Sequence, residues 1–455
     1  MRSLYETWTM MPMIFALTAC CSRMRALVSM LATLSVLTIA PAVAHADGIP
    51  DVLIHTFGTG TSGTNSCNNL DGAAPKGSLT FANNFLFGRT STTTAQGNGD
   101  GIIFHIDPAA TTPDTTYTID HQFTGFSTDG NNPRHNAMTL VGPVLYGTTL
   151  TGGKHDTGTI FSINDDGSAY STPPLYDFQG NLKKNNGDMP HSCFALNGGG
   201  VLFGMTSEGG TKGLPTGNGV IFSFDPQTGT YTRLYSFDGT QHGSDPHGQP
   251  IFDPNGATIY GMTREGGKHN VGVIFSFGPK KKCNPLSICN KIKVLHHFAC
   301  PQNATPTCID GSDGATPDHG TLVQSGTTLF GLTSAGGKFG LGTIFSYDLS
   351  KKKFKVLRSF GPASTNDGQN PFGSLLLNGN VLYGTTRLGG PSGNGTVFQI
   401  NTDGTAYARV HNFAGGTADG ANPIDDVILL NNTLYGMTEA GGKCNNGVIF
   451  AIALP

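Results

Sequence analysis

Residues 382–398 contain Leu382-Tyr383-Gly384-Thr385-Thr386, then Gly389-Gly390, then Gly395-Thr396-Val397-Phe398. Two short runs of β-branched and aromatic residues flank a glycine turn, which is a hairpin signature. The unit occurs seven times. Its central glycines are Gly88, Gly147, Gly204, Gly261, Gly331, Gly384 and Gly436, separated by 59, 57, 57, 70, 53 and 52 residues. A period that varies only in loop length marks a repeat architecture.

Working outward from the hairpin, each repeat holds four β signals. A proline-led segment such as Pro371 to Leu376 reads as strand a, and Leu-Tyr-Gly-Thr-Thr as strand b. Gly-Thr-Ile-Phe-Ser-Ile reads as strand c, and Tyr231 to Phe237 as an example of strand d. Turn signals such as Asp165-Asp166-Gly167 and Thr402-Asp403-Gly404 separate c from d. Helical periodicity is absent after residue 46. Four strands in a unit of this size describe a propeller blade. The chain opens with a d-like strand, Val52 to Phe57, and ends on a c strand, Gly447 to Ile452. The first can complete the last blade, so the fold expected is all-β, a single seven-bladed β-propeller closed by its N-terminal strand. Closure removes the exposed edges of an open array. The glycine inside strand b weakens a strand, and its recurrence suggests close packing between neighbouring blades.

Composition agrees. Gly 65 and Pro 26 together make one fifth of the 455 residues, and charged residues are only 13%. Disordered chains carry more charge. The net charge is −3, so no electrostatic reason exists to bind nucleic acid or anionic lipid. Lys280-Lys281-Lys282 and Lys351-Lys352-Lys353 read as solvated hairpin turns.

Met24 to Ala46 has the form of an export signal: a basic start, an apolar run from Leu27 to Ala40, and Ala44-His45-Ala46 as the cleavage site. Residues 1–46 are therefore read as leader and upstream extension, with Met24 as a candidate start, and 47–455 as the propeller. Leu17-Thr18-Ala19-Cys20 offers a rival lipidation signal. The apolar run is too short for a span of about 20 residues. The protein is expected to be secreted or periplasmic, monomeric and without a transmembrane span.

The strand-b hairpins, the Gly-Gly pairs and the preceding Asp-Gly-x-x-Pro resemble the GloVer tandem-repeat proteins of bacteria. The resemblance covers residues 50–455. It implies export and repeat architecture, and it brings no substrate with it. Some members carry C-terminal anchors. An anchor is not expected after Pro455, which follows a strand directly. The mature chain lacks the tryptophan that kelch and WD40 repeats require, since Trp8 lies in the leader.

Seven cysteines follow residue 46. Cys283 and Cys289 bracket one insertion, Cys300 and Cys308 another. Both spacings exceed those of zinc sites, and both suit local disulfides in an exported protein. Cys67 and Cys444 lie far apart in sequence, but closure would bring their loops to one seam, so they are expected to form a third disulfide. Cys193 is expected to stay free.

In a four-strand meander the d–a and b–c loops leave on one face, and these carry the elaborate motifs. Candidate ligand residues there are His135, His191, His247 and His319 before strand a, and Lys154, His155, Lys268 and His269 in the b–c loops. The histidines read as hydrogen-bonding residues copied with the repeat loops, with a metal or polyol site, or an ordinary ligand contact, as the functional readings. Against a metal, His191 and His247 follow their proline by one residue, His135 and His319 by two. On a strand these parities point opposite ways, so convergence on one ion is not expected. No metal, cofactor or catalytic residue is assigned. Asp-Gly-x-x-Pro carries a single carboxylate and reads as a turn, not a calcium loop. Glu208, Glu265 and Glu439 before Gly-Gly read as repeat background. The expected function is non-enzymatic binding of an extracellular glycan or protein through the b–c and d–a face. The alternative is a propeller hydrolase or lyase acting on polysaccharide, with a histidine site at the channel mouth.

Overall fold

The computed structural model describes residues 43–44, 50–58, 67, 71–93, 99–125, 127–135, 137–180, 186–212, 217–279, 290–299 and 313–455. Among them lie seven main antiparallel sheets, one per repeat, and no α-helix. Blade two is typical of the order. Strand a is Thr139–Val141, b is Val144–Thr149, c is Thr159–Asn164 and d is Tyr176–Asp177. In the last blade a, b and c are Ile428–Leu430, Thr433–Thr438 and Val448–Ala453. Pro50–Thr56 supplies the fourth strand, with Val52 opposite Ala451 and Thr56 opposite Val448. The expected closure is therefore the observed one. Val43–Ala44 adds a short fifth strand outside it.

Seven hydrophobic clusters hold the ring, each shared by two adjacent blades. One joins Phe123 of blade one to Leu145 and Phe161 of blade two. Another joins the closing strand, through Ile54 and Phe57, to Leu86 and Phe104 of blade one and Met437 of blade seven. The ring has no free end to fray, because the seam is built like every other interface.

Two glycine classes explain the repeat, and one corrects the sequence reading. The strand-b glycine faces the strand-c phenylalanine of its own blade. Gly147 pairs with Phe161, whose Cζ lies 2.4 Å from where a Cβ would sit. The packing is thus within a blade. Contact between blades comes from the glycine opening strand c, which sits under the proline of the next d–a loop. Gly158 meets Pro190 in this way, and Gly447 meets Pro75 across the closure.

Strand a also differs from expectation. In blade six it is Leu376–Asn378, so the proline-led residues 371–375 are not strand. These segments line the central channel, where strand regularity ends.

The Asp-Gly-x-x-Pro aspartates staple the d–a loops. Asp129 Oδ2 accepts the Thr124 N–H at 3.0 Å, and Oδ1 accepts the Gly130 N–H and the Tyr170 hydroxyl, both at 2.8 Å. A short ladder then ties Gly130–Asn131 to Thr151–Gly152 of the b–c loop. Burial pushes Asp129 up, but bonds from His121, Tyr170 and Gly130 outweigh it and hold its carboxyl below the usual range. Because the folded value is the lower one, this carboxylate stabilises the fold above the unfolded value and ceases to as pH falls through the folded one. Asp129→Asn should therefore lower stability at pH 7 and flatten the acid limb of a stability–pH curve measured by urea titration. An unchanged acid limb would contradict the staple.

Candidate functional site in the central channel

At the d–a end of the channel lies a cavity of about 300 Å³. The residue after each loop proline points here from every blade: Lys76, Arg134, His191, His247, Asp318, Phe372 and Ile424. His135 and His319 sit one residue further along, and Arg264, Arg387 and Glu439 enter from the ends of the b strands.

The four histidine rings gather at the mouth although their parities differ, while the groups close enough to hold one ion contain three residues each and never all four histidines. The rings of His135 and His319 stack at 3.6 Å and 8°, those of His191 and His247 at 4.0 Å and 4°, and His135 lies 5.4 Å from His191. Parity fails because these residues are not in strands. His135 occupies the left-handed region at φ +63°, and His319 lies in a bend. The His135 backbone is held on both sides: its N–H donates to the Lys76 carbonyl, and its own carbonyl accepts Arg89 Nη2 at 2.8 Å. Arg89 is fully buried below the cluster, also reaching the Thr148 carbonyl at 3.2 Å and Cys193 Sγ at 3.5 Å. Cys193 is free, and burial pushes its thiol up.

The histidines divide electrostatically. Burial, reinforced by neighbouring imidazoles, holds His135 and His191 well below the ordinary value, and burial brings His319 down to about 3. All three are neutral at pH 7. His247 is different. Its Nε2 is 2.7 Å from Asp245 and its Nδ1 3.3 Å from Asp318. Burial lowers it, but the two aspartates outweigh burial and raise it.

Charge on the rim is mostly paired. Lys76 bridges Glu439 at 2.8 Å, Arg387 reaches Glu439 at 3.4 Å, and Arg264 reaches Asp245 at 2.9 Å. Arg134 is the exception. Among the described residues no carboxylate lies within ion-pair distance of it, and its buried Nε has no hydrogen-bond partner.

A family profile described as the Gloeobacter/Verrucomicrobia repeat matches residues 92–309 and 301–455. The chain belongs to this family. The matched stretches take in blades two to seven, so six of the seven residues ringing the mouth, all but Lys76, lie inside them. No curated protein matches the sequence. Among solved structures, an oligogalacturonate lyase from Vibrio parahaemolyticus is 10% identical, with a TM-score of 0.51, over 91% of this chain and 96% of that one. The extracellular domain of a one-component system from B. thetaiotaomicron is 13% identical, with a TM-score of 0.50, over 84% of this chain. The alignment spans 39% of that protein. Both likenesses concern the propeller fold alone.

Of the expected ligand residues, the four channel histidines come together. Lys154, His155, Lys268 and His269 stay outside the channel lining. The Lys154 and Lys268 amides instead bond Asp177 and His297, at 3.1 and 3.2 Å, along the outer loop. Cys283, Cys289, Cys300 and Cys308 lie outside the described residues, as do Lys280 to Lys282. Sequence reading missed Lys76, Arg134, Asp318, Arg264, Arg387 and Glu439. A signal existed. The position after the loop proline carries six residue types in seven Gloeobacter/Verrucomicrobia repeats, while its flanks repeat. Glu439 also stands one position earlier than Glu208 and Glu265 relative to Gly-Gly, so it is not repeat background.

A second hollow of about 400 Å³ lies on the opposite face, lined by Lys351, Lys353, Lys355, Asp348 and Asp403. Its lysines are exposed turn and strand-edge residues. Of these two hollows among the described residues, the channel cavity is the one that collects buried polar groups from many blades.

Proposed function

We propose that this propeller is an exported binding protein that takes a small acidic saccharide at its channel mouth. The observation that carries this reading is Arg134, a half-buried guanidinium with no carboxylate within ion-pair distance, facing a cavity whose other lysine and arginine side chains each reach a carboxylate. Burial of an unpaired charge is costly, and a ligand carboxylate would offset it with a two-pronged hydrogen bond. Phe372 and Ile424 give the same cavity an apolar wall suited to the C–H face of a sugar ring. The cavity volume is at the lower end of small-ligand sites, which favours a glycan end over a protein surface. The leader at residues 1–46 and the Cys67–Cys444 bond both suit an oxidising compartment. Cleavage after Ala46 would remove only the Val43–Ala44 edge strand from blade seven.

Calorimetric titration with uronate-terminated oligosaccharides, in EDTA, tests the reading. Acidic sugars should bind more tightly than neutral ones of equal length. Arg134→Ala should weaken them by roughly 10- to 100-fold, the value of a charge-assisted hydrogen bond. Equal affinity for neutral sugars, or an unaffected Arg134→Ala, would refute it. The second reading, a polysaccharide hydrolase or lyase, is favoured by the histidines themselves. New reducing ends or unsaturated uronate products would decide for it.

A further inference from the structure

We propose that the channel holds one divalent transition-metal ion, zinc foremost, on the imidazoles of His135, His191 and His319. The proposal concerns the same cavity as the saccharide reading and deepens it, but it stands on separate residues.

Three observations lead here. First, each of these residues offers a ring nitrogen, and the three atoms all lie within 4.8 Å of one another. Zinc–imidazole bonds of about 2.0–2.1 Å place tetrahedral donors about 3.3 Å apart. The donor spacing is therefore about 1.5 Å or less from a ligating one, and the stacked His135 and His319 rings would have to turn about their χ angles to aim both nitrogens at one ion. Second, His135 is 4% exposed, and its Nδ1 has no hydrogen-bond partner; neither has the buried Nδ1 of His319. The nearest carboxylates, Asp425 Oδ1 at 4.0 Å from His135 Nδ1 and Asp318 Oδ1 at 3.7 Å from His319 Nδ1, lie beyond hydrogen-bond reach. Buried polar atoms in native folds are ordinarily paired, so both rings lack a partner, and a bound ion would fix them in place. Third, the donors come from blades two, three and five, and His135 meets His319 across the propeller axis. A site assembled from three blades is rigid without any loop closing over it.

The remaining groups fit around such an ion. Imidazole binds metal through a neutral ring nitrogen. Nitrogen-only donors favour zinc, copper, nickel or cobalt over the oxygen-seeking magnesium and calcium. His247 is engaged by Asp245 and Asp318 and is not needed as a ligand. Three histidine donors leave a coordination position open, and the cavity lies beside it. A ligand carboxylate or a water would occupy that position. The ion would also draw the stacked His135 and His319 rings apart, because a ring binds metal in its own plane.

The test uses the purified full chain without saccharide. Zinc content is measured after gel filtration, and zinc affinity by competition with a chromogenic chelator. Cobalt(II) absorption then reports the ligand field. One zinc per chain and intense visible cobalt bands of low coordination number are expected. His135→Gln and His319→Gln should each weaken zinc by at least about 100-fold, more than the loss of an outer partner costs. His155→Gln, outside the channel, should change nothing. Less than a tenth of an equivalent of zinc at saturation, a six-coordinate cobalt spectrum, or equal affinity in the channel variants would overturn the proposal. Should a variant fail to fold, the cobalt spectrum of the wild-type chain still decides. Saccharide binding in EDTA is scored separately, so either reading can fall alone.

Discussion

Gly147→Val should be among the most damaging single substitutions in the propeller. Gly147 has an ordinary strand backbone, so its effect is steric and owes nothing to φ. A Cβ here would lie 2.4 Å from Phe161 Cζ and 2.9 Å from Cε1. Phe161 cannot yield. It is fully buried, with Phe123 against it at 5.5 Å and Tyr170 at 5.7 Å. Overpacking of this kind costs about 1–3 kcal/mol for a single added carbon, and valine adds three. We expect Gly147→Ala to lower the midpoint of urea unfolding clearly and Gly147→Val to yield insoluble or partly folded protein. Gly142→Ala is the control. It lies in the a–b turn at φ +59° with open space around its Cβ position, so only the left-handed backbone penalty of about 1 kcal/mol applies. Equal effects of Gly142→Ala and Gly147→Ala would show that the strand-b glycine is not a packing requirement.

Cys444→Ser should destabilise the ring by about 2–5 kcal/mol, the usual loss for a native disulfide. Cys67 and Cys444 are 377 residues apart in sequence, with Cα atoms 5.4 Å apart, and the structure joins them. The bond ties the loop that follows the closing strand to the b–c loop of blade seven. It therefore sits beside the one seam made by pairing the two ends of the chain. The chain-entropy relation gives roughly 6 kcal/mol for so long a loop, and measured bonds fall short of it. Thermal unfolding of the variant, with and without reductant, is the measurement. Wild type and Cys444→Ser should differ without reductant and unfold alike with it. Peptide mapping without reduction should recover the Cys67–Cys444 pair. A free thiol at Cys444, or a variant as stable as wild type, would contradict this role. Cys193, fully buried against Arg89, should resist thiol reagents until the protein unfolds.

The sequence alone determined the blade count, the order of strands and the closure. The reason is that hairpin signals are local: a β-branched run, a glycine turn and a second run specify their own pairing, and seven copies say so seven times. The same locality made the Val52–Phe57 segment recognisable as a d strand without a blade. The pairing of Cys67 with Cys444 followed from that closure. What the tertiary structure decided was the interior of the channel. Period-2 alternation holds only where the backbone is strand, and a positive φ at His135 and a bend at His319 end it just where the histidines sit. The strand-b glycine likewise meets a phenylalanine across its own sheet, a contact set by side-chain reach that no spacing reveals. Arg134, Asp318 and Glu439 come from blades two, five and seven, and no local pattern links residues separated by hundreds of positions. Only the closing of the ring turns seven residues of six types after seven prolines into one site.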